Sequence, residues 1–219
     1  MLKEIKNLIA FLTILPMGMD KDCLTDSAKY MPLFPLVGAF IGSLAGVFAW
    51  LLFQILPDLI VGMLTLGSLL LITGLHHTDG LLDFGDGLMY QGSPEKKIEV
   101  MHDQQTGAGG LALGLITLIT TAICIAELKT KLIIQSLIVS EASAKLSMVI
   151  GAWAGKSAHR GMNTPFIEAM HGRHRKTRLI VALTISFGIA TGLLRIAGSI
   201  TVISGMIASL IIVGVSNRH

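Results

Sequence analysis

Six runs of apolar residues dominate this chain, and each approaches the length that crosses a bilayer. They cover residues 34–56, 59–75, 107–126, 132–153, 179–194 and 200–215. A span needs about 20 mostly apolar residues, with a lower limit near 17, so the last two are the shortest. Little charge is left to cover a water-soluble globule. Only 14% of the 219 residues are charged and 52% are hydrophobic, where a soluble domain carries about 25% charge. Mean hydropathy is +0.71. The expected fold is an all-α polytopic membrane helical bundle of about six transmembrane helices, a single integral-membrane domain over residues 1–219. The formal net charge of +3 does not point to nucleic acid, because the positive residues are not spread over a soluble face. Cys23 and Cys124 are far apart and suggest neither a disulfide framework nor a thiolate metal site.

The N-terminal segment MLKEIKNLIAFLTILP is different. Its apolar stretch is too short to cross, yet Leu2, Ile5, Leu8, Ile9, Leu12 and Leu15 fall on one helical face. An interfacial or re-entrant helix ending at Pro16 is expected. Basic residues then set the orientation. Lys3, Lys6, Lys21, Lys29, Lys96, Lys97, Lys156, Arg160, Arg173, Arg175, Lys176, Arg178 and Arg218 all fall on one side of a six-span chain. Only Lys129, Lys131 and Arg195 fall on the other. The first side is read as cytoplasmic, with both termini there. Loops 76–106 and 154–178 share that face, so a single active site can be built from both. Gly38, Gly42 and Gly46, and likewise Gly110 and Gly114, repeat at a spacing of four, which lets helix backbones approach closely in lipid.

The acidic stretch TGLHHTDGLLDFGDGL, residues 73–88, stands against this apolar background. Asp79, Asp83 and Asp86 sit at i, i+4 and i+7 and form one stripe on a helix. Clustered carboxylates raise one another's pKa unless a cation joins them. Hard oxygen ligands without cysteine suit Mg²⁺ or Mn²⁺, and Mg²⁺ held by carboxylates keeps positions open for substrate phosphates. Two such ions could clamp an in-line displacement at phosphorus. Acids beside a span, sharing one face, read as functional rather than as a solvated loop. His77 either donates to a phosphate, orients a carboxylate, or is a bystander; His76 is taken as a bystander. Asp103 is a fourth candidate carboxylate or a helix cap before the third span.

At Thr73, Gly74, His77, Asp79, Gly80, Leu81, Asp83, Asp86 and Gly87 the chain resembles the cobalamin synthase (adenosylcobinamide-GDP ribazoletransferase) family, whose signature reads T-G-x-x-H-x-D-G-L-x-D-x-x-D-G. AFLTILP, FPLVGAFIG, EVMHDQQTGAGGLALG and SAHRGMNTPF resemble further motifs of that family, and the last two spans match only in hydrophobicity. Lys145 stands where many members have arginine, which weakens a bidentate role there. The resemblance implies a Mg²⁺-dependent transfer. A ribose hydroxyl of α-ribazole, or of its 5′-phosphate, attacks the cobinamide-linked phosphorus of adenosylcobinamide-GDP, and GMP leaves. It implies Asp79, Asp83 and Asp86 as metal ligands. It casts Asp86, Asp83 and His77 as catalytic, with Asp86 offered as the base. The implied partners are these two small molecules and the lipid bilayer of the cell membrane, and a homo-oligomer is compatible with the chain.

The basic cluster HGRHRKTR, residues 171–178, offers Arg173, Arg175 and Lys176 to a substrate phosphate. It also fits a purely topogenic role, facing anionic lipid. Asn163 reads more simply as a turn before Pro165 than as a substrate contact. Glu141 and Lys145 sit at i and i+4 inside the fourth span, as an internal tie or as a cavity wall from which Lys145 reaches a phosphate. Two rival functions remain in view. A CDP-alcohol phosphotransferase would share the chemistry, but DGLLDFGDG lacks that family's Ala-Arg pair and its spacing. A metal-ion transporter would place its acids near mid-bilayer, whereas these cluster at one end.

Overall fold

A computed structural model of the chain describes residues 2–18, 23–128, 130–157 and 161–217. Ten α-helices and two 3₁₀ turns occur among the described residues, and no strand. The helices are α1 (Leu2–Leu12), α2 (Cys23–Lys29), α3 (Phe34–Leu52), α4 (Asp58–Ile72), α5 (His76–Met89), α6 (Pro94–Met101), α7 (Ala108–Ala126), α8 (Ile133–Ala154), α9 (Thr164–His171) and α10 (Arg175–Ser216). The all-α polytopic bundle expected from the apolar runs is the fold observed. Four helical segments are long and apolar enough to cross a membrane, and a fifth is obtained if α4 and α5 are taken as one bent span.

The 42-residue α10 accounts for two of the expected crossings. As one rod it would be about 63 Å long, twice the ~30 Å hydrocarbon core. It is not one rod: Arg195 has φ 54 and ψ −127, far from helical values. A Cβ placed on Gly198 would lie 2.1 Å from the carbonyl oxygen of Ala190, so the chain folds back on itself at Arg195. Both arms lean on α8. Arg175 of the first arm lies over the Trp153 ring, while Ser209 of the second donates to the carbonyl of Ser147 at 2.9 Å. The first arm therefore runs antiparallel to α8 and the second parallel to it.

Glycine lets α3 reach α8. A Cβ on Gly38 would lie 2.3 Å from the Glu141 carbonyl oxygen, on Gly42 2.3 Å from that of Leu137, and on Gly46 2.7 Å from the Ile134 Cα. The spacing-of-four glycines thus form the α3–α8 seam, as small residues at lipid-buried interfaces do. Gly62 packs in the same way on Ala122 and Ala126 of α7.

The turn between α4 and α5 sets the site. Gly74 (φ 70) and Leu75 (φ 63) are both left-handed. Gly74 N–H donates to Leu71 O and Leu75 N–H to Leu70 O, each at 3.0 Å, which is the paired closure of a Schellman helix end. It turns α5 by 97° from α4. Helix α4 is only 15 residues long, about 22 Å, short of the ~30 Å hydrocarbon core, and α5 continues from it across the end of the bundle. The N-terminal helix α1 ends at Leu12, short of Pro16. Leu8 and Leu12 are buried in the core, and Phe11 stacks on Phe34 and Phe166; α1 packs into the site end of the bundle. Cys23 and Cys124 are both free. Of the charges used for orientation, Lys21, Lys129, Arg160 and Arg218 lie outside the described residues. Among the described ones, Lys131 and Arg195 lie at the end opposite α5.

Candidate active site

The stripe forms as the spacing requires: His76–Met89 is one helix. Asp79 is exposed and Asp83 half-buried. Neither side chain shares a hydrogen bond or ion pair with another described residue. Burial, then the charges of Asp79 and Asp86, raise the Asp83 carboxyl above the usual range, with His102 opposing them.

Asp86 is engaged differently. One carboxylate oxygen accepts from Gly107 N–H at 2.7 Å and the other from Gly110 N–H at 2.8 Å. Gly107 is the N-cap of α7 and has no side chain of its own to cap with. Asp86 supplies the missing acceptor from 21 residues upstream and places a negative charge at the positive end of α7. Close approach is possible because both sides are glycine. A Cβ on Gly107 would lie 2.5 Å from an Asp86 oxygen, and one on Gly85 2.8 Å from the Gly110 Cα. The cap of the third span is thus Asp86. Asp103, the candidate cap in the sequence, instead accepts from Gln105 N–H at 3.2 Å in a local turn and is exposed. Asp86→Ala should cost about 2 kcal/mol, a fall in Tm of roughly 4–8 °C for a chain of this size; thermal melting in detergent checks this.

His77 is fixed from below. Lys145 Nζ lies 3.4 Å from His77 Nε2 and 3.6 Å from a Glu141 oxygen. An ammonium can only donate, so Nε2 is the accepting nitrogen and the proton of the neutral ring sits on Nδ1, free to donate. The protein packed around the ring, then Lys145 and His76, hold its pKa at about 4, so the imidazole is neutral at pH 7. The Lys145 side chain is 4% exposed and Glu141 18%. The intramembrane pair is therefore an internal tie that also carries a site residue. Lys145→Met should cost about 3–5 kcal/mol, because it leaves a charge unpaired below the site. Adding Glu141→Gln should restore most of it, which a double-mutant cycle on unfolding would show.

The basic cluster lies elsewhere. The Arg175 guanidinium sits 5.0 Å from the Trp153 ring centre, and Arg173 and Lys176 are exposed. None of the three pairs with the aspartates among the described residues. Two cavities open at the same end of the bundle, of about 470 and 300 Å³, and both are lined by Phe84 and Lys156. Pro94 and Ser157 both line the smaller one, so residues of the two loops face the same cavity. Asn163 stands at the N-cap of α9 and lines the larger cavity. The aspartates line neither cavity, but Phe84 follows Asp83 directly in the chain. Sequence reasoning passed over Phe84 and Lys156. The available signal was a lone aromatic inside the acidic stretch.

Mg²⁺ is tested by the donor set. Among the described residues no donor sits on the side-chain oxygens of Asp79 and Asp83, and Asp83 carries repulsion from Asp79 and Asp86 that a cation would relieve. No three His, Cys, Asp or Glu side chains among the described residues converge into a closed metal shell. An ion that is held by one or two carboxylates and completes its octahedron with water and phosphate needs none. The residues fit such an ion.

A family model described as Cobalamin-5-phosphate synthase matches residues 4–219. The chain is similar to a protein of Methanocella arvoryzae named adenosylcobinamide-GDP ribazoletransferase, at 37% identity over all of this chain and 87% of that one. Proteins of the same name from Methanococcoides burtonii (31% identity, all of this chain, 83% of that one) and Pyrococcus abyssi (30%, 77% of this chain, 67% of that one) are also similar. No solved structure matches the chain. A match over nearly the whole length, with the acidic stripe folded onto one helix at the end of the bundle, places this chain in the cobalamin-5-phosphate synthase family.

Proposed function

We propose that this chain is an adenosylcobinamide-GDP ribazoletransferase that works in the cytoplasmic membrane, with α5 and both ends of the chain on the cytoplasmic side. A ribose hydroxyl of α-ribazole, or of its 5′-phosphate, attacks the cobinamide-linked phosphorus; the phosphoanhydride bond breaks and GMP leaves. The observation that carries this reading is the pair of unpartnered carboxylates, Asp79 and Asp83, on a helix turned 97° out of the bundle, beside an imidazole fixed by Lys145. Asp79 and Asp83 would hold Mg²⁺, which when bound neutralises charge on the diphosphate oxygens. Asp83 is better placed than Asp86 to accept the hydroxyl proton, since both Asp86 oxygens are committed to α7. His77 directs Nδ1–H toward a phosphate oxygen.

The test is GMP release by the full chain in liposomes, given adenosylcobinamide-GDP and α-ribazole with and without Mg²⁺. Metal-dependent GMP in step with a cobalamin product is expected. No GMP from folded protein would overturn the assignment. Metal flux without phosphoryl transfer would replace it with transport.

A further inference from the structure

The larger cavity lies at the site end of the bundle and is walled by carbon. Phe11 and Phe166 stack at 5.0 Å between ring centres, with Phe34 at 6.0 Å from Phe166; all three line it, with Phe84 and Met148 among the other walls. It exists because α8 carries Gly151, Ala152 and Gly155 along this wall. A Cβ on Gly151 would meet nothing closer than the Ser209 hydroxyl at 3.9 Å. Pockets for small molecules run from about 300 to 1,000 Å³, so a space of about 470 Å³ suits a nucleoside. The donor's tetrapyrrole does not fit this space; its guanosine would, and the kinetics below separate the two.

We infer that this cavity is the acceptor subsite. It holds the planar aromatic base of the incoming nucleoside against the phenylalanines, with Lys156 at the junction of the two cavities to meet a 5′-phosphate. This rests on the transferase reading above. Phe11 and Phe84 keep exposed surface for an uncharged aromatic base, with Phe34 and Phe166 buried behind them; stacking needs a π-face and no particular hydrogen-bond pattern. Methionine thioether adapts around ring edges. Lys156 is exposed and lines both cavities, so an anionic group on the ribose has a cation at the rim and carbon below. Phe84 lies about 100° around α5 from Asp83, so a base seated on Phe84 stands beside the acidic stripe and its ribose reaches around the helix to meet it.

The experiment uses the full chain in liposomes with Mg²⁺ and saturating adenosylcobinamide-GDP, varying α-ribazole and its 5′-phosphate in turn. Phe84→Ala should raise the KM for both acceptors about tenfold, the usual order for losing one stacking partner, with the KM for adenosylcobinamide-GDP within twofold. Gly151→Leu, which fills the cavity, should raise it at least as far. Lys156→Met should raise the KM for the 5′-phosphate about tenfold more than for the free nucleoside. Phe84→Leu is the milder variant should alanine unfold the site. Equilibrium dialysis of α-ribazole alone, without the donor, gives an independent readout: wild type retains it and Gly151→Leu does not.

A rise confined to the KM for adenosylcobinamide-GDP would move the cavity to the donor half and overturn the inference. Unchanged kinetic constants with a co-purified acyl chain in the cavity would assign it to lipid. Retention of α-ribazole by a chain that releases no GMP would defeat the transferase reading and leave the binding site standing.

Discussion

Asp83→Asn is expected to lower Mg²⁺-dependent GMP release by about a thousandfold, while the metal-free protein melts no lower than wild type. The two halves of this result come from one cause. Asp83 sits between Asp79 and Asp86 with its carboxyl raised by burial and by both neighbours. Without a cation its charge is a burden on the fold, so an amide of the same shape removes repulsion and no hydrogen bond. With substrate, in the function proposed above, the same charge would hold the metal and accept the hydroxyl proton. Losing about 4 kcal/mol of transition-state stabilisation corresponds to a thousandfold. Melting with and without Mg²⁺ separates the roles. A ligand that binds only the folded state raises Tm with concentration, and that rise should be present in wild type and much reduced in the variant. An Asp83→Asn protein with the wild-type rate would remove Asp83 from the chemistry.

Gly42→Leu is expected to abolish the folded protein. The Cβ alone would sit 2.3 Å from the Leu137 carbonyl oxygen and 2.7 Å from the Ile138 Cα and Leu137 carbonyl carbon. These are backbone atoms of α8, which cannot turn aside as a flexible side chain can. Relief requires moving α3 from α8, and the seam carries Gly38 against Glu141 one turn away. That movement would open the packing around Lys145, which supports His77. Overpacking in a deformable core costs about 1–3 kcal/mol; here no such deformation is open, so loss of monodisperse protein on size exclusion is the expected readout. The control is Gly67→Leu. That glycine lies in α4 with open space at its Cβ, and the variant should elute as wild type.

How much of this was legible beforehand follows from which interactions are local. Hydrophobic run length and the absence of lipid partners for an open backbone compel helices. The i, i+4, i+7 spacing compels a stripe once Thr73–Leu88 is helical, and spacing-of-four glycines mark where helices touch. The chain contains all of that in short windows, and the long apolar helices, the acidic face and the small-residue face of α3 were read there, while α8 as its partner was not. The reversal at Arg195 falls in the gap read between the last two apolar runs, but the bend at Gly74 and Leu75 was not read, because a non-glycine left-handed residue such as Leu75 is held by its surroundings rather than by its own preference. Asp86 capping α7 across 21 residues, Lys145 under His77 across 68 residues, and the cavity among Phe11, Phe34, Phe84 and Phe166 exist only after the helices pack. The sequence by itself determined a helical membrane bundle with one acidic helix. The tertiary structure decided which aspartate is tied into the scaffold and which two remain open, because a carboxylate's task depends on the donors that distant segments bring to it.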